Sequence, residues 1–124
     1  MIKDAQYEVL FYVKVNGECP MDGYLDALPV KARAKIAKWI ELLGEEGPDL
    51  PRPYADLLRD KIRELRVRSG PVHYRLLYFF MAKKIVMTHG FIKKTDKVPK
   101  AEIERALQAM KDLYQRTGKG DVSI

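Results

Sequence analysis

Apolar side chains recur with two periods along the chain, and each period predicts a different kind of element. Four runs rich in β-branched and aromatic residues are typical of strands. They cover residues 7–15, 62–68, 73–80 and 85–91. Asn16-Gly17 and Ser69-Gly70-Pro71 follow the first two runs and predict turns. Because only short segments separate the last three strands, we expect them to pair as an antiparallel meander.

Helical periodicity predicts the remaining elements. Apolar residues three or four apart predict an amphipathic helix over residues 30–43. A last helix begins at Pro99 and ends at Gly118. A short helix is predicted over residues 23–28, and a helical turn over residues 54–58 follows a proline-rich loop.

These elements predict one α+β domain over residues 1–124. We expect a small antiparallel sheet of about four strands, with two N-terminal helices packed on it and a C-terminal helix. Strand 73–80 is apolar on both faces, which is typical of a strand in the middle of a sheet covered on two sides. The tail, residues 119–124, is expected to fray.

Basic residues are concentrated in the predicted sheet. Residues 1–58 contain 7 basic and 10 acidic side chains, whereas residues 59–124 contain 16 and 7. Within residues 59–97, which include the meander, 11 side chains are basic and 3 are acidic. A sheet this basic attracts a polyanion such as a nucleic acid. Charge alone identifies neither RNA nor DNA, and it identifies no reaction.

Several kinds of site lack the residues they require. The chain has one cysteine, Cys19, and no clustered histidines, so we expect no disulfide, no metal and no cofactor. No P-loop, dinucleotide-binding, nucleophile-elbow or zinc-protease motif occurs. The longest apolar run, residues 76–82, is too short to span a membrane, and no leader opens the chain. We therefore expect a cytoplasmic protein that does not bind membranes.

Three arginines are candidates for binding phosphate. Arg66 and Arg68 project from the same face of one strand about 7 Å apart, a spacing suited to successive phosphates. Arg75 lies on the next strand and joins them only if the register places it on that face. The alternative is that these arginines keep a surface strand soluble and protect a sheet edge.

The end of the last strand combines the side chains that RNA cleavage needs, in the string His89-Gly90-Phe91-Ile92-Lys93-Lys94. Attack of a 2′-hydroxyl on its phosphodiester requires a base, an acid, cations for the growing charge, and a surface that holds an unstacked base. His89 or a lysine would transfer protons, and Phe91 would stack. Arg75 and Lys94 would stabilise charge. Alternatively, His89 and Phe91 are packing residues and the lysines form a solvated turn.

Four strings of residues occur in an order that is more specific than any one of them. They are Glu64-Leu65-Arg66-Val67-Arg68, Tyr74-Arg75-Leu76-Leu77-Tyr78, His89-Gly90-Phe91-Ile92-Lys93-Lys94-Thr95, and Pro99 followed by Glu102-Ile103-Glu104-Arg105-Ala106. Over nearly its whole length the chain resembles the RelE/HigB toxin superfamily, in particular its phage-derived HigB-like branch.

The resemblance implies a fold, an activity and partners. The implied fold is a small antiparallel sheet with helices on one side. The implied activity is metal-independent cleavage of mRNA in the ribosomal decoding site, which inhibits translation. The implied partner is a small helix-turn-helix antitoxin of the HigA kind, which neutralises the toxin and assembles with it on promoter DNA.

The resemblance also implies roles for individual residues. Arg75 matches the arginine that contacts the reacting phosphate in RelE-like enzymes, and Arg66 matches a basic position in the preceding strand. Glu64 stands where RelE has a lysine, and no tyrosine follows the lysine loop where some relatives have a catalytic one. The residues expected to carry catalysis are Arg75, Arg66, His89 and Lys94, and those expected to bind RNA are Arg68, Phe91, Lys93 and Lys97.

Three hypotheses for function follow. The leading hypothesis is a ribosome-dependent mRNA endoribonuclease. The second is a non-catalytic module whose basic sheet binds nucleic acid or an acidic partner, which predicts salt-sensitive binding without cleavage. The third is a chain that serves only to bind an antitoxin.

Overall fold

The computed structural model describes residues 6–118 and has the α+β class predicted from the sequence. Its elements in chain order are β1 (Glu8–Phe11), α1 (Pro20–Asp26), α2 (Val30–Glu46), a 3₁₀ turn (Gly47–Asp49), β2 (Ala55–Arg59), β3 (Ile62–Ser69), β4 (Val72–Met81), β5 (Lys84–Ile92) and α3 (Lys100–Thr117). The expected fraying of residues 119–124 lies outside the described residues. Within them, no helix is both long and apolar enough to cross a membrane.

The predicted meander of β3, β4 and β5 is confirmed, but the sheet is larger and mixed. Its strand order is β1-β5-β4-β3-β2. Four strands run antiparallel, whereas β1 pairs with β5 in parallel, with Glu8 opposite Lys84. β1 is also shorter than the predicted 7–15 run, because the chain turns where the Lys14 N–H donates to the Glu18 carbonyl.

Residues 54–58 were expected to form a helical turn, and this prediction is wrong. They form most of β2, which places Ala55 opposite Leu65 and Asp56 opposite Glu64 on β3. Without β2, this part of β3 would present unpaired backbone groups at the edge of the sheet. Tertiary pairing therefore overrides the local helical signal.

Helices cover both faces of the sheet, which corrects the implied arrangement with all helices on one side. On one face, Ile36 and Leu43 of α2 belong to the same core as Leu65 and Leu76 of the sheet. On the other face, α3 contributes Ala106 and Ala109 to a second core that includes Leu77 and Phe79. The strand predicted to be covered on two sides, β4, lies between these two cores.

Helix α1 is fixed against the end of β5 by a close approach at Gly90. A side-chain carbon at this position would overlap the ring of Tyr24. The Tyr24 hydroxyl donates a 3.2 Å hydrogen bond to the Phe91 carbonyl. These contacts hold the part of β5 where the sequence predicts functional residues.

Candidate nucleic-acid interface

A row of three side chains crosses the sheet on the face that α3 partly covers. Arg66 of β3 lies opposite Arg75 of β4, and Arg75 lies opposite Phe91 of β5. Opposed residues project from the same face, so the register places Arg75 beside Arg66. The alternation of residues along each strand could not determine whether Arg75 shares a face with Arg66.

A second basic row lies nearer the turn between β3 and β4. Arg68 lies opposite His73, and both side chains are exposed. The His73 carbonyl accepts a 2.8 Å hydrogen bond from the Lys93 N–H, which extends the row onto the segment after β5. Together the two rows form a basic surface three strands wide.

Two clefts follow this surface and meet in the middle. The first has a volume of about 470 Å³ and lies between the two arginines of β3 and the residues Lys35, Trp39 and Tyr54. The second, about 340 Å³, reaches Lys93 and Lys94. His73 and Arg75 line both clefts. We call the two clefts together the basic groove.

A buried carboxylate lies beneath the groove and holds two of its arginines. Glu64 is 2% exposed. Its Oε2 accepts hydrogen bonds from Arg66 Nη2 at 2.9 Å and Arg66 Nε at 3.1 Å. Its Oε1 lies 3.1 Å from Arg75 Nε as an ion pair, without the alignment of a hydrogen bond. The two guanidinium groups are thus drawn to one anion from neighbouring strands.

Arg75 is the most enclosed cation of the groove. Its Nη1 donates to the Tyr74 carbonyl at 3.2 Å. Burial lowers the pKa of Arg75, the negative charge of Glu64 opposes this change, and the neighbouring Arg66 lowers the pKa further. A partly desolvated guanidinium with a second cation beside it gains more from an anionic ligand than an arginine in bulk water does.

His89 lies outside the basic groove, in the next row under α3. Its ring is 2% exposed, with Nε2 2.9 Å from the carboxylate of Glu102 and Nδ1 3.0 Å from the Thr88 hydroxyl. Burial and the positive charge of Arg105 lower its pKa, against the opposing effect of Glu102. Both ring nitrogens therefore lie within hydrogen-bond distance of side chains of the protein.

The remaining predicted residues divide between the groove and its surroundings. Phe91 is half-buried against the α3 core and tilts toward the His89 ring, with 6.3 Å between the centroids. Lys93 and Lys94 line the second cleft. Lys97 lines neither cleft, and its carbonyl accepts a hydrogen bond from the Thr95 hydroxyl.

The structure adds residues that the sequence analysis did not assign to a site. His73 lines both clefts, and its signal was its place two residues before Arg75 on the same strand face. Trp39 and Tyr54 stack with their ring centroids 4.8 Å apart at the α2 side of the first cleft. Trp39 falls within the predicted helix over residues 30–43 and Tyr54 within the predicted helical turn over residues 54–58, and neither pattern indicated that the two rings meet.

No metal-binding cluster accompanies these residues. Among residues 6–118, no three His, Cys, Asp or Glu side chains come together in a group that could hold a metal ion.

Comparison with known proteins identifies the family. The family model described as Phage derived protein Gp49-like (DUF891) matches residues 23–111, which include all the strands of the groove. The chain is 31% identical over 103 residues to proteins named "Probable endoribonuclease HigB1" from two strains of Mycobacterium tuberculosis. Each alignment covers 82% of this chain and 79% of the relative. The chain belongs to the phage-derived Gp49-like family and is a RelE/HigB-like toxin homologue.

Proposed function

We propose that this chain is the toxin of a toxin–antitoxin pair and an endoribonuclease that cleaves mRNA in the ribosomal decoding site. The observation that carries the proposal is the basic groove, in which Arg66 and Arg68 of β3, His73 and Arg75 of β4, and Lys93 after β5 line two adjoining clefts. The similarity to probable endoribonucleases supports the same reaction class.

The proposed reaction uses the RNA's own 2′-hydroxyl as nucleophile. The 2′-oxygen bonds to the adjacent phosphorus while its proton passes to a base. The bond from phosphorus to the 5′-oxygen breaks, and that oxygen takes a proton from an acid. The products are a 2′,3′-cyclic phosphate and a 5′-hydroxyl. Arg75 and Arg66 would bind the phosphate oxygens, whose negative charge increases in the transition state.

His73 is better placed than His89 to transfer protons in this reaction. His73 is exposed and lines both clefts beside Arg75, so its imidazole is within reach of an RNA strand in the groove. His89 is enclosed by Thr88 and Glu102. We therefore assign His89 to packing, and Lys93 and Lys94 to the RNA backbone.

The open form of the groove favours a substrate held by a second surface. A flexible single strand lying on such a surface is not confined to the in-line geometry that attack requires. We propose that the ribosome holds the mRNA against the groove. The proposed protein partner is a helix-turn-helix antitoxin of the HigA kind, which binds the toxin and assembles with it on promoter DNA.

The test is induction of the chain in a bacterium, with mRNA 5′ ends mapped minutes later. Arg75→Ala and the exposed-site variant Arg68→Ala are compared with wild type, and Lys61→Ala serves as a matched control far from the groove. We expect growth arrest and cuts within translated codons for wild type and Lys61→Ala. We expect at least a hundredfold less cleavage for Arg75→Ala, the order of loss seen when one transition-state donor is removed.

Each other outcome has a defined meaning. Intact mRNA in cells that contain folded wild-type protein would contradict the proposal and favour a non-catalytic binding module. Unchanged cleavage by both folded variants would show that the reaction does not take place in the groove. Circular dichroism of the purified variants separates lost chemistry from lost folding.

A further inference from the structure

A pair of stacked aromatic rings forms one wall of the groove. The rings of Trp39 and Tyr54 lie 4.8 Å apart at an interplanar angle of 28°. Tyr54 is 42% exposed, while Trp39 is only partly buried at the margin of the core. Because one face of the Tyr54 ring rests on Trp39, a ligand ring would stack on the opposite face.

The aromatic pair is held in a fixed position relative to the arginines. The Tyr54 N–H donates to the Pro51 carbonyl at 3.0 Å, and the Tyr54 carbonyl accepts a 2.8 Å hydrogen bond from the Arg66 N–H. Arg66 Nη1 also donates to the Pro53 carbonyl at 3.4 Å. A ring that is already ordered loses little conformational entropy when a ligand stacks on it.

Cationic side chains lie on both sides of the stacked rings of Trp39 and Tyr54. Lys35 lies one helical turn before Trp39 on the same face of α2, and it lines the first cleft together with Arg66 and Arg68. Cations beside an exposed flat ring are the combination that binds single-stranded nucleic acid, because the cations hold the phosphates and the ring holds a base. The Asp and Glu side chains of an acidic peptide would pair with the cations, but they have no aromatic ring to stack on Tyr54.

We infer that Trp39 and Tyr54 form a base-stacking subsite, which takes a nucleobase of single-stranded RNA whose neighbouring phosphates lie on Arg66 and Arg68. The inference rests on the proposed function, because it assigns a second anchoring point to the same substrate. Lys93 and Lys94 line the other end of the groove, so the RNA would be held at both ends.

The sole tryptophan of the chain provides a direct readout. The probe is a short, dye-labelled, single-stranded oligoribonucleotide with 2′-O-methyl groups, which cannot undergo the cleavage reaction. Dye anisotropy measures binding, and Trp39 emission reports changes at the subsite. We expect quenching of Trp39 that follows the anisotropy curve. An oligonucleotide of equal length without bases should bind more weakly and leave the emission unchanged.

A matched pair of substitutions at Tyr54 isolates the ring from the rest of the side chain. Tyr54→Phe keeps the ring and should bind RNA like wild type. Tyr54→Leu removes it and should bind about five- to a hundredfold more weakly, the usual range for loss of one base–aromatic stack. Because Tyr54 is exposed, both variants should fold, and thermal melting checks this.

Four results would overturn the inference. They are equal binding by the two Tyr54 variants, an anisotropy change with constant Trp39 emission, the same emission change with a polyglutamate peptide, and no RNA binding at all. The cleavage assay keeps the two proposals distinct. Wild-type cleavage with identical rates for Tyr54→Phe and Tyr54→Leu would refute the subsite alone, whereas no wild-type cleavage would refute the function.

Discussion

Two regions of the same sheet face differ in whether a helix covers them. The rows that contain Arg66 and Arg68 lie outside the area covered by α3, and they form the basic groove. Under α3, the same strands contribute Leu77 and Phe79, both fully buried, to a closed core. The boundary is the row that contains His89, whose ring contacts Glu102 in the first turn of α3.

The difference shows that the position of α3 divides this face into site and core. Both regions contain a buried ionisable pair, Glu64 with Arg75 and His89 with Glu102. The first pair borders the basic groove, which several cations line, whereas the second lies under the first turn of α3 beside a smaller cleft of about 230 Å³ that His89 and Arg105 line. A buried ionisable pair beside a cleft therefore does not by itself distinguish the candidate site here, whereas the concentration of cations around the basic groove does.

The largest expected effect is a loss of stability in the region of the sheet that α3 covers. Phe79 is fully buried and packs edge-to-face against Tyr114, with 5.9 Å between the ring centroids. Phe79→Ala should lower the free energy of unfolding by about 3–5 kcal/mol, because it removes buried area and leaves a cavity. In contrast, Arg68→Ala at the exposed surface should change it by less than about 0.5 kcal/mol.

Urea denaturation of both variants measures this contrast. RNA binding should show the reverse order, with Arg68→Ala weakened and the folded fraction of Phe79→Ala binding like wild type. If Arg68→Ala destabilised the fold as much as Phe79→Ala, the groove would be a structural region rather than a site.

A smaller effect is expected from Glu64→Gln, which removes the anion shared by Arg66 and Arg75. The substitution keeps the shape but loses charge-assisted contacts, so the free energy of unfolding should fall by about 1–3 kcal/mol. RNA phosphate would then replace the lost anion. Bound RNA should therefore raise the melting temperature of this variant more than that of wild type.

Glu104→Gln is the matched control, because Glu104 forms an exposed ion pair with Arg59 on the surface. It should change neither the stability nor the response to RNA. An equal RNA-induced shift for Glu64→Gln and wild type would argue that phosphate does not approach the two arginines.

The pair under α3 predicts a pH effect on stability. Burial lowers the pKa of His89 in the folded state, and Arg105 lowers it further, so the unfolded state binds the proton more readily. Stability should therefore be complete above the ordinary histidine value of about 6.5 and should decrease as the pH falls below it. Denaturation curves at several pH values should show a weaker decrease for His89→Gln. An identical slope in the variant would assign the effect to another group.

The smallest expected effect is a difference in the salt dependence of RNA binding between variants of two lysines in the same loop. Lys94 lines the groove and Lys97 does not. Removing one phosphate contact lowers the slope of log affinity against log salt by about 0.7 for single-stranded nucleic acid. Lys94→Ala should show this change and Lys97→Ala should not, which titrations at several salt concentrations can measure. Equal slopes for the two variants would show that the groove does not define the RNA path.

Much of the fold could be predicted from local pattern. Strand alternation and short turns predicted the meander, and helical periodicity predicted α2 and α3. β2 could not be predicted in this way, because residues 54–58 become a strand only by pairing with β3. Likewise, the parallel pairing of β1 brings together residues about 76 positions apart, from Glu8 to Lys84, which no local signal reports.

The sequence predicted the positive charge of the candidate site but only some of its residues. The concentration of basic residues in the meander indicated the sheet on which the basic groove lies, and alternation placed Arg66 and Arg68 on one face. His89 was selected for its residue type, but α3 covers it. The stacked pair of Trp39 and Tyr54 was missed because its two rings come from separate elements.

The sequence by itself determined the strands of the meander, the amphipathic helices and the basic character of the sheet, since each depends on residues close together in the chain. The tertiary structure decided the cross-strand register, which places Arg75 beside Arg66, and the position of α3, which closes one part of the face and leaves the other open. Accessibility depends on which distant elements pack over a residue. The same strand pattern therefore produces a core in one place and an open basic groove in the next.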